Sequence, residues 1–194
     1  MTGNAKGSPR RYLLGAIIVA AVQTVILGYM IESRAAVLRN GTEILLKTAP
    51  IDPRDLLRGD YVTLNYDISS VPLSTLTGEI PAQPGEEVLS VRLRKQDDGF
   101  WAVAESSFGD LPPAPDSIVL HSLPFYNFAT KRDDTARVDY GIERYYVPEG
   151  EGRALETARS DGRVSIAARV SEDGSAQIRS LLLDGQPVCE EPLY

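Results

Sequence analysis

Gly59-Asp60-Tyr61-Val62-Thr63-Leu64-Asn65-Tyr66 is the stretch that decides how this chain is read, and Pro50-Ile51-Asp52-Pro53-Arg54-Asp55-Leu56-Leu57-Arg58 leads into it. Asp52 suits a helix N-cap, and Pro53 suits the first helical position, where a missing N–H costs nothing. Asp55 stands where a capping-box acid would stand, and Gly59 is a natural stop. A short capped turn is therefore predicted to feed a strand. Along that strand Val62, Leu64, Tyr66 and Ile68 alternate with Tyr61, Thr63, Asn65 and Asp67. The first set is the expected core face, and Tyr61 falls on the other face at the strand mouth. Arg54, Arg58, Asp60 and Tyr61 form a candidate binding cluster. A local pairing of Arg58 with Asp60 explains the same residues without a ligand, since Asp beside Gly commonly bonds to its own turn.

Upstream, Tyr12 to Ile31 is a run of 20 residues without a charge, and Gln23 is its one strongly polar side chain. At about 1.5 Å per residue it matches a hydrocarbon core of roughly 30 Å. Lys6, Arg10 and Arg11 precede the run, which places the N-terminus in the cytoplasm by the positive-inside rule. A cleaved signal peptide competes with this reading, but the apolar run is longer than a usual signal core. The expected organisation is a cytoplasmic segment 1–11, a transmembrane helix 12–31, a juxtamembrane helical extension 32–41 and an extracytoplasmic β-rich domain 42–194. Asn40-Gly41 should end the helix. The expected location is the inner (cytoplasmic) membrane, single-pass.

Ala16, Ala20, Thr24 and Gly28 recur every four residues and form a ridge of small side chains, with Gln23 beside it. Small ridges let membrane helices approach closely, and an amide can bond between helices. The ridge is therefore a candidate packing face for another membrane helix, although Ala and Gly are common in such segments.

Charge separates the two parts. Residues 1–39 carry five Lys/Arg and one acid, a net of +4, so the remainder carries −7 − 4 = −11. An acidic domain lacks the electrostatic footprint of a nucleic-acid binder. Cys189 is the one cysteine and His121 the one histidine, so no intrachain disulfide and no metal site is expected. No cofactor is implied, since a Gly-rich phosphate loop and a GxSxG elbow are both missing from the sequence.

The rest of the chain reads as mainly β, a compact barrel or sandwich-like domain with one short helix at about 149–159. Residues 43–47 form a first strand. Leu89, Val91 and Leu93 alternate with Ser90, Arg92 and Arg94, Asp98-Gly99 turns the chain, and 100–104 returns. Ile118-Val119-Leu120 is a further short strand. A second hairpin runs over 163–170 and 176–183 around Asp173-Gly174, followed by a turn at Asp184-Gly185. The stretches 69–85 and 109–115, with three prolines each, read as stiff surface loops.

These segments carry a resemblance. The chain resembles the bacterial GDYXXLXY family: Gly59, Asp60, Tyr61, Leu64 and Tyr66 fit the five named letters, and Tyr140-Gly141-Ile142-Glu143-Arg144-Tyr145-Tyr146-Val147-Pro148-Glu149-Gly150 is similar to a second family segment. The resemblance implies a small membrane-anchored protein associated with a multi-spanning membrane protein, with no established activity and no catalytic residues. An accessory or interaction subunit of a larger multi-pass protein is thus the expected role, with the bilayer and that protein as partners.

Two other classes are weighed against it. A sugar- or peptide-binding module would use Tyr126, Tyr140, Tyr145 and Tyr146 as an aromatic surface, although buried tyrosines in a β core explain the same count. Leu56, Gly59, Asp60 and Val62 also resemble, faintly, an entry to membrane signal peptidases. That enzyme class needs a serine before this point and a lysine base after it. Here Thr48, Lys95 and Lys131 stand instead, so no catalytic residue is assigned.

Overall fold

The computed structural model describes residues 9–49, 61–128, 131–146, 158 and 161–191, with the backbone alone at Pro9 and Tyr61. The chain divides into two units, 1–36 and 37–194.

The first unit is the greater part of helix α1, Pro9–Asn40. This helix is long and apolar enough to cross a membrane, and no residue of its apolar window is buried. Thr24 Oγ1 donates to the Ala20 carbonyl at 2.9 Å, which satisfies the hydroxyl inside its own helix. Nothing lies within 4 Å of a side chain built at Gly28, so this end of the small-residue ridge is open.

The second unit is strand-rich. Strands β1 (Thr42–Lys47), β11 (Val164–Val170), β12 (Ala176–Leu183) and β13 (Gln186–Glu190) form a four-stranded antiparallel sheet in the order β1-β11-β12-β13. Strands β5 (Ser90–Lys95), β6 (Trp101–Ser107) and β7 (Ser117–His121) form a three-stranded sheet in the order β6-β5-β7. Three short ribbons complete the domain: β2 (Tyr61–Thr63) with β10 (Arg144–Tyr146), β3 (Ser70–Pro72) with β9 (Thr135–Arg137), and β4 (Gly85–Glu87) with β8 (Phe125–Asn127). One apolar cluster holds them together, including Ile44, Leu46, Val91, Leu93, Ile166 and Leu181. Burying a side chain of this size contributes roughly 1.5–3 kcal/mol.

The turns follow from the sequence. Asp184 and Gly185 both have positive φ, 51° and 79°, as a tight two-residue hairpin between β12 and β13 requires. At Gly99 (φ 87°) the chain reverses between β5 and β6, and the Phe100 carbonyl accepts the Gln96 amide at 2.8 Å. Gly41 ends α1 for a steric reason rather than through a left-handed conformation. Its amide bonds to the Val37 carbonyl at 2.8 Å, and a Cβ there would sit 2.5 Å from that oxygen.

Several expectations need correction. The strand after Gly59 stops at Thr63, and Asp67–Ser69 forms a 3-10 turn instead of continuing it. The alternation in burial survives, because Val62, Leu64, Tyr66 and Ile68 are all buried. The stretch 69–85 is not one loop: it contains β3, a second 3-10 turn at Leu73–Thr75, and the start of β4. Leu89, just before β5, and Val91 and Leu93 on it are buried in the core as expected, but Ser90 and Arg92 between them are buried too. The helix expected at 149–159 lies outside the described residues except for Ala158, which is helical and buried.

Candidate functional site

The motif strand and the segment 140–146 form a seam. Strand β2 pairs antiparallel with β10, placing Thr63 opposite Arg144, Val62 opposite Tyr145 and Tyr61 opposite Tyr146. The pairing continues past the strand end, where the Leu64 amide donates to the Glu143 carbonyl at 2.8 Å. On its other side the motif leans on the two residues that follow β1: Thr48 bridges to Tyr66, and the Ala49 amide donates to the Asn65 carbonyl at 2.8 Å. Leu64 and Tyr66 are each only 1% exposed.

Two phenols lock the seam. Tyr66 Oη donates to the Ile142 carbonyl, and Tyr140 Oη donates to the Ile68 carbonyl at 2.8 Å. Burial pushes both phenols upward, and the charge of Glu143 adds to the shift. Both therefore remain O–H donors across the physiological range, which suits a structural bond rather than proton transfer. Glu143 accepts the Tyr140 amide on Oε1 at 2.5 Å. Desolvation raises its carboxyl above the usual range, and backbone hydrogen bonds partly oppose that.

Of the candidate cluster, Arg54, Arg58 and Asp60 lie outside the described residues, as do Asp52, Asp55 and Gly59. The structure brings only the Tyr61 backbone into place, opposite Tyr146. The four tyrosines weighed as an aromatic surface divide. Tyr140 and Tyr145 are buried, whereas Tyr126 and Tyr146 are exposed. Burial pushes Tyr145 up to about 12, with the nearby charge of Glu191 adding to it. Tyr126 packs on Phe128, with ring centroids 4.6 Å apart. Thr48 is buried and donates from Oγ1 to the Val164 carbonyl at 2.6 Å. Among the described residues, no group of three or more His, Cys, Asp or Glu side chains could hold a metal ion.

Sequence reading missed a cleft of about 580 Å³ along β7, lined among others by Arg92, Ser117, Val119 and His121. Arg92 is 3% exposed. Its guanidinium staples the proline-rich stretch to the sheet: Nε reaches Glu105 at 2.6 Å, Nη1 reaches Ser117 Oγ at 3.1 Å, and Nη2 reaches the Pro112 carbonyl at 2.6 Å. Glu105 is held below the usual carboxylate range by hydrogen bonds from Thr77 first and Arg92 second. At the far end, His121 Nδ1 lies 3.2 Å from Ser90 Oγ, and the His121 amide donates to the Gly174 carbonyl at 3.1 Å. The imidazole packs so closely on Gly174 that a Cβ there would sit 2.2 Å from His121 Cδ2. An Arg in a strand pattern reads as solvent-facing, so the sequence carries no sign that Arg92 is buried.

The molecule thus combines one N-terminal helix of membrane-spanning length and character with a small strand-rich domain built around a tyrosine-locked seam. The chain belongs to the GDYXXLXY protein family, whose model matches residues 23–181, from within α1 to the end region of β12. No curated protein and no solved structure matches the chain.

Proposed function

We propose that this protein is an accessory subunit of a larger multi-pass membrane protein, held by α1 in the cytoplasmic membrane with its N-terminus inside and its β domain outside. The observation that carries this reading is the open ridge Ala16, Ala20, Thr24 and Gly28 on a helix whose apolar window is fully exposed, with Gln23 beside it. An amide in hydrocarbon is costly without a partner, and a neighbouring helix supplies one. The seam supports the same reading. Leu64 and Tyr66, two of the five motif residues, are spent on folding, which favours an architectural motif over a reactive one.

The test is co-purification of the intact chain in mild detergent. A multi-pass protein is expected to accompany it, and Ala20→Leu combined with Gly28→Leu should disrupt that association. Unchanged association in the double variant would remove the helix face from the account. Orientation is tested separately: protease added to cells with a permeabilised outer envelope should digest the β domain and spare the N-terminal segment.

A further inference from the structure

We infer that the outward face of the β4–β8 ribbon is a docking surface for a basic segment of a partner protein, with an arginine side chain seated on Tyr126 and Phe128 and held by Glu86. The ribbon has two unlike faces. Its antiparallel register sets Gly85 opposite Asn127, Glu86 opposite Tyr126 and Glu87 opposite Phe125. Residues directly opposite each other share a face, and faces alternate along each strand. Asn127 is buried and Phe125 packs against the apolar core, so their face is turned inward. Glu86 and Tyr126 are turned outward, and Val88 and Phe128 follow them by parity. Exposure agrees: Tyr126 is 56% exposed, Phe128 74% and Val88 42%, and Glu86 is exposed with them.

This face is an apolar surface with a carboxylate set beside it. The Tyr126 and Phe128 rings touch, with centroids 4.6 Å apart and planes tilted by 45°, and they leave most of their area in water. Neighbouring exposed apolar side chains of this kind mark a contact site. The chemistry of the face names the occupant. Aromatic faces attract cations, and Glu86 places a full negative charge next to the Tyr126 ring. A guanidinium can stack on a ring and donate to a carboxylate in one pose, while its aliphatic stem covers an apolar neighbour such as Val88. Residues 40–194 carry a net charge of −11, which adds a long-range attraction for a basic segment. The same features disfavour a lipid surface. Glu86 would have to leave water, and an acidic domain is repelled by anionic headgroups. The inference uses residues separate from the α1 ridge and is tested without the multi-pass partner, so failure of either proposal is read independently of the other.

The probe is a fluorescent synthetic peptide of alternating arginine and glycine, titrated by anisotropy against the full chain in nanodiscs of zwitterionic lipid. Its citrulline counterpart keeps the shape and loses the charge. The arginine peptide should bind at least tenfold more tightly than the citrulline one. Tyr126→Ala, Phe128→Ala and Glu86→Gln should each weaken it at least fivefold, while Asp97→Asn, the same charge change at another exposed acid, should stay within twofold. A 3-fluorotyrosine placed at position 126 gives a readout that needs no disruptive variant: its fluorine resonance should move on titration with the arginine peptide. Equal affinity for the citrulline peptide would make the face a neutral aromatic surface and overturn the proposal. Equal weakening by Asp97→Asn and Glu86→Gln would reduce the binding to general attraction and overturn it too. So would absence of binding, an unmoved fluorine resonance, or a resonance broadened by paramagnetic lipid without peptide, which would assign the face to the bilayer.

Discussion

Tyr66 and Tyr140 clasp the motif seam from both sides: each phenol donates to the backbone carbonyl two residues beyond the other, at Ile142 and at Ile68. Both rings are buried, and both carbonyls depend on the phenols for their side-chain partner. Tyr66→Phe and Tyr140→Phe should therefore each lower stability by about 1–3 kcal/mol, because each leaves a buried carbonyl unpaired. Tyr126→Phe on the exposed β8 ribbon should change it by no more than about 0.5 kcal/mol. Denaturant titration of the β domain signal in detergent measures all three. Equal effects at positions 66 and 126 would mean that the clasp contributes nothing.

Gly174 should resist substitution for two separable reasons. Its φ is 78°, and the His121 ring occupies the space a side chain would need. Gly174→Ala should cost at least about 2 kcal/mol. In a His121→Ala background the clash disappears and a backbone cost of about 1 kcal/mol remains. A double-mutant cycle by thermal or denaturant unfolding measures the difference, and additive costs would contradict the close packing.

The pH dependence should have two limbs of opposite sign. Glu143 has its folded carboxyl raised, mainly by desolvation, so the folded protein holds that proton more tightly than the unfolded chain does. Its contribution is fully present below the ordinary value of 4.5 and is lost as pH rises through the folded value. Asp173 is held low, first by the Ser171 hydroxyl and then by the Ser175 amide. Its contribution is present above the ordinary value of 3.8 and is lost as pH falls through the folded value. Melting temperature measured against pH should show Glu143→Gln flattening the decline above 4.5 and Asp173→Asn flattening the acid limb. A Glu143→Gln profile parallel to the parent's would rule out this role for the carboxyl.

Much of this architecture was legible because long strands carry a period. Leu89, Val91 and Leu93, and the pairs of strands around Asp98-Gly99, Asp173-Gly174 and Asp184-Gly185, announce themselves by alternation and turn chemistry. The ribbons β3, β4, β8, β9 and β10 are three residues each, too short to show a period, and their pairing comes from tertiary contact. Tyr66 was legible as a core residue by parity alone, although the strand ends three residues earlier. Its partner at Ile142 was not, since 76 residues separate them. The cleft was hidden for the same reason. It joins Thr42, Leu111, Val119 and Glu172, which are brought together only when the two larger sheets form.

In the function proposed above, α1 docks on another membrane protein through its small-residue ridge. Photo-crosslinking in native membranes tests this most directly, with a benzophenone side chain placed singly at Ala20, Thr24, Val22 or Tyr29. At 100° per residue, Ala20 and Thr24 lie on the ridge, while Val22 and Tyr29 lie on the opposite side of the helix. The expected result is a discrete adduct with one multi-pass polypeptide from positions 20 and 24 and none from positions 22 and 29. Equal adducts from all four positions, or no protein adduct from the ridge, would contradict it.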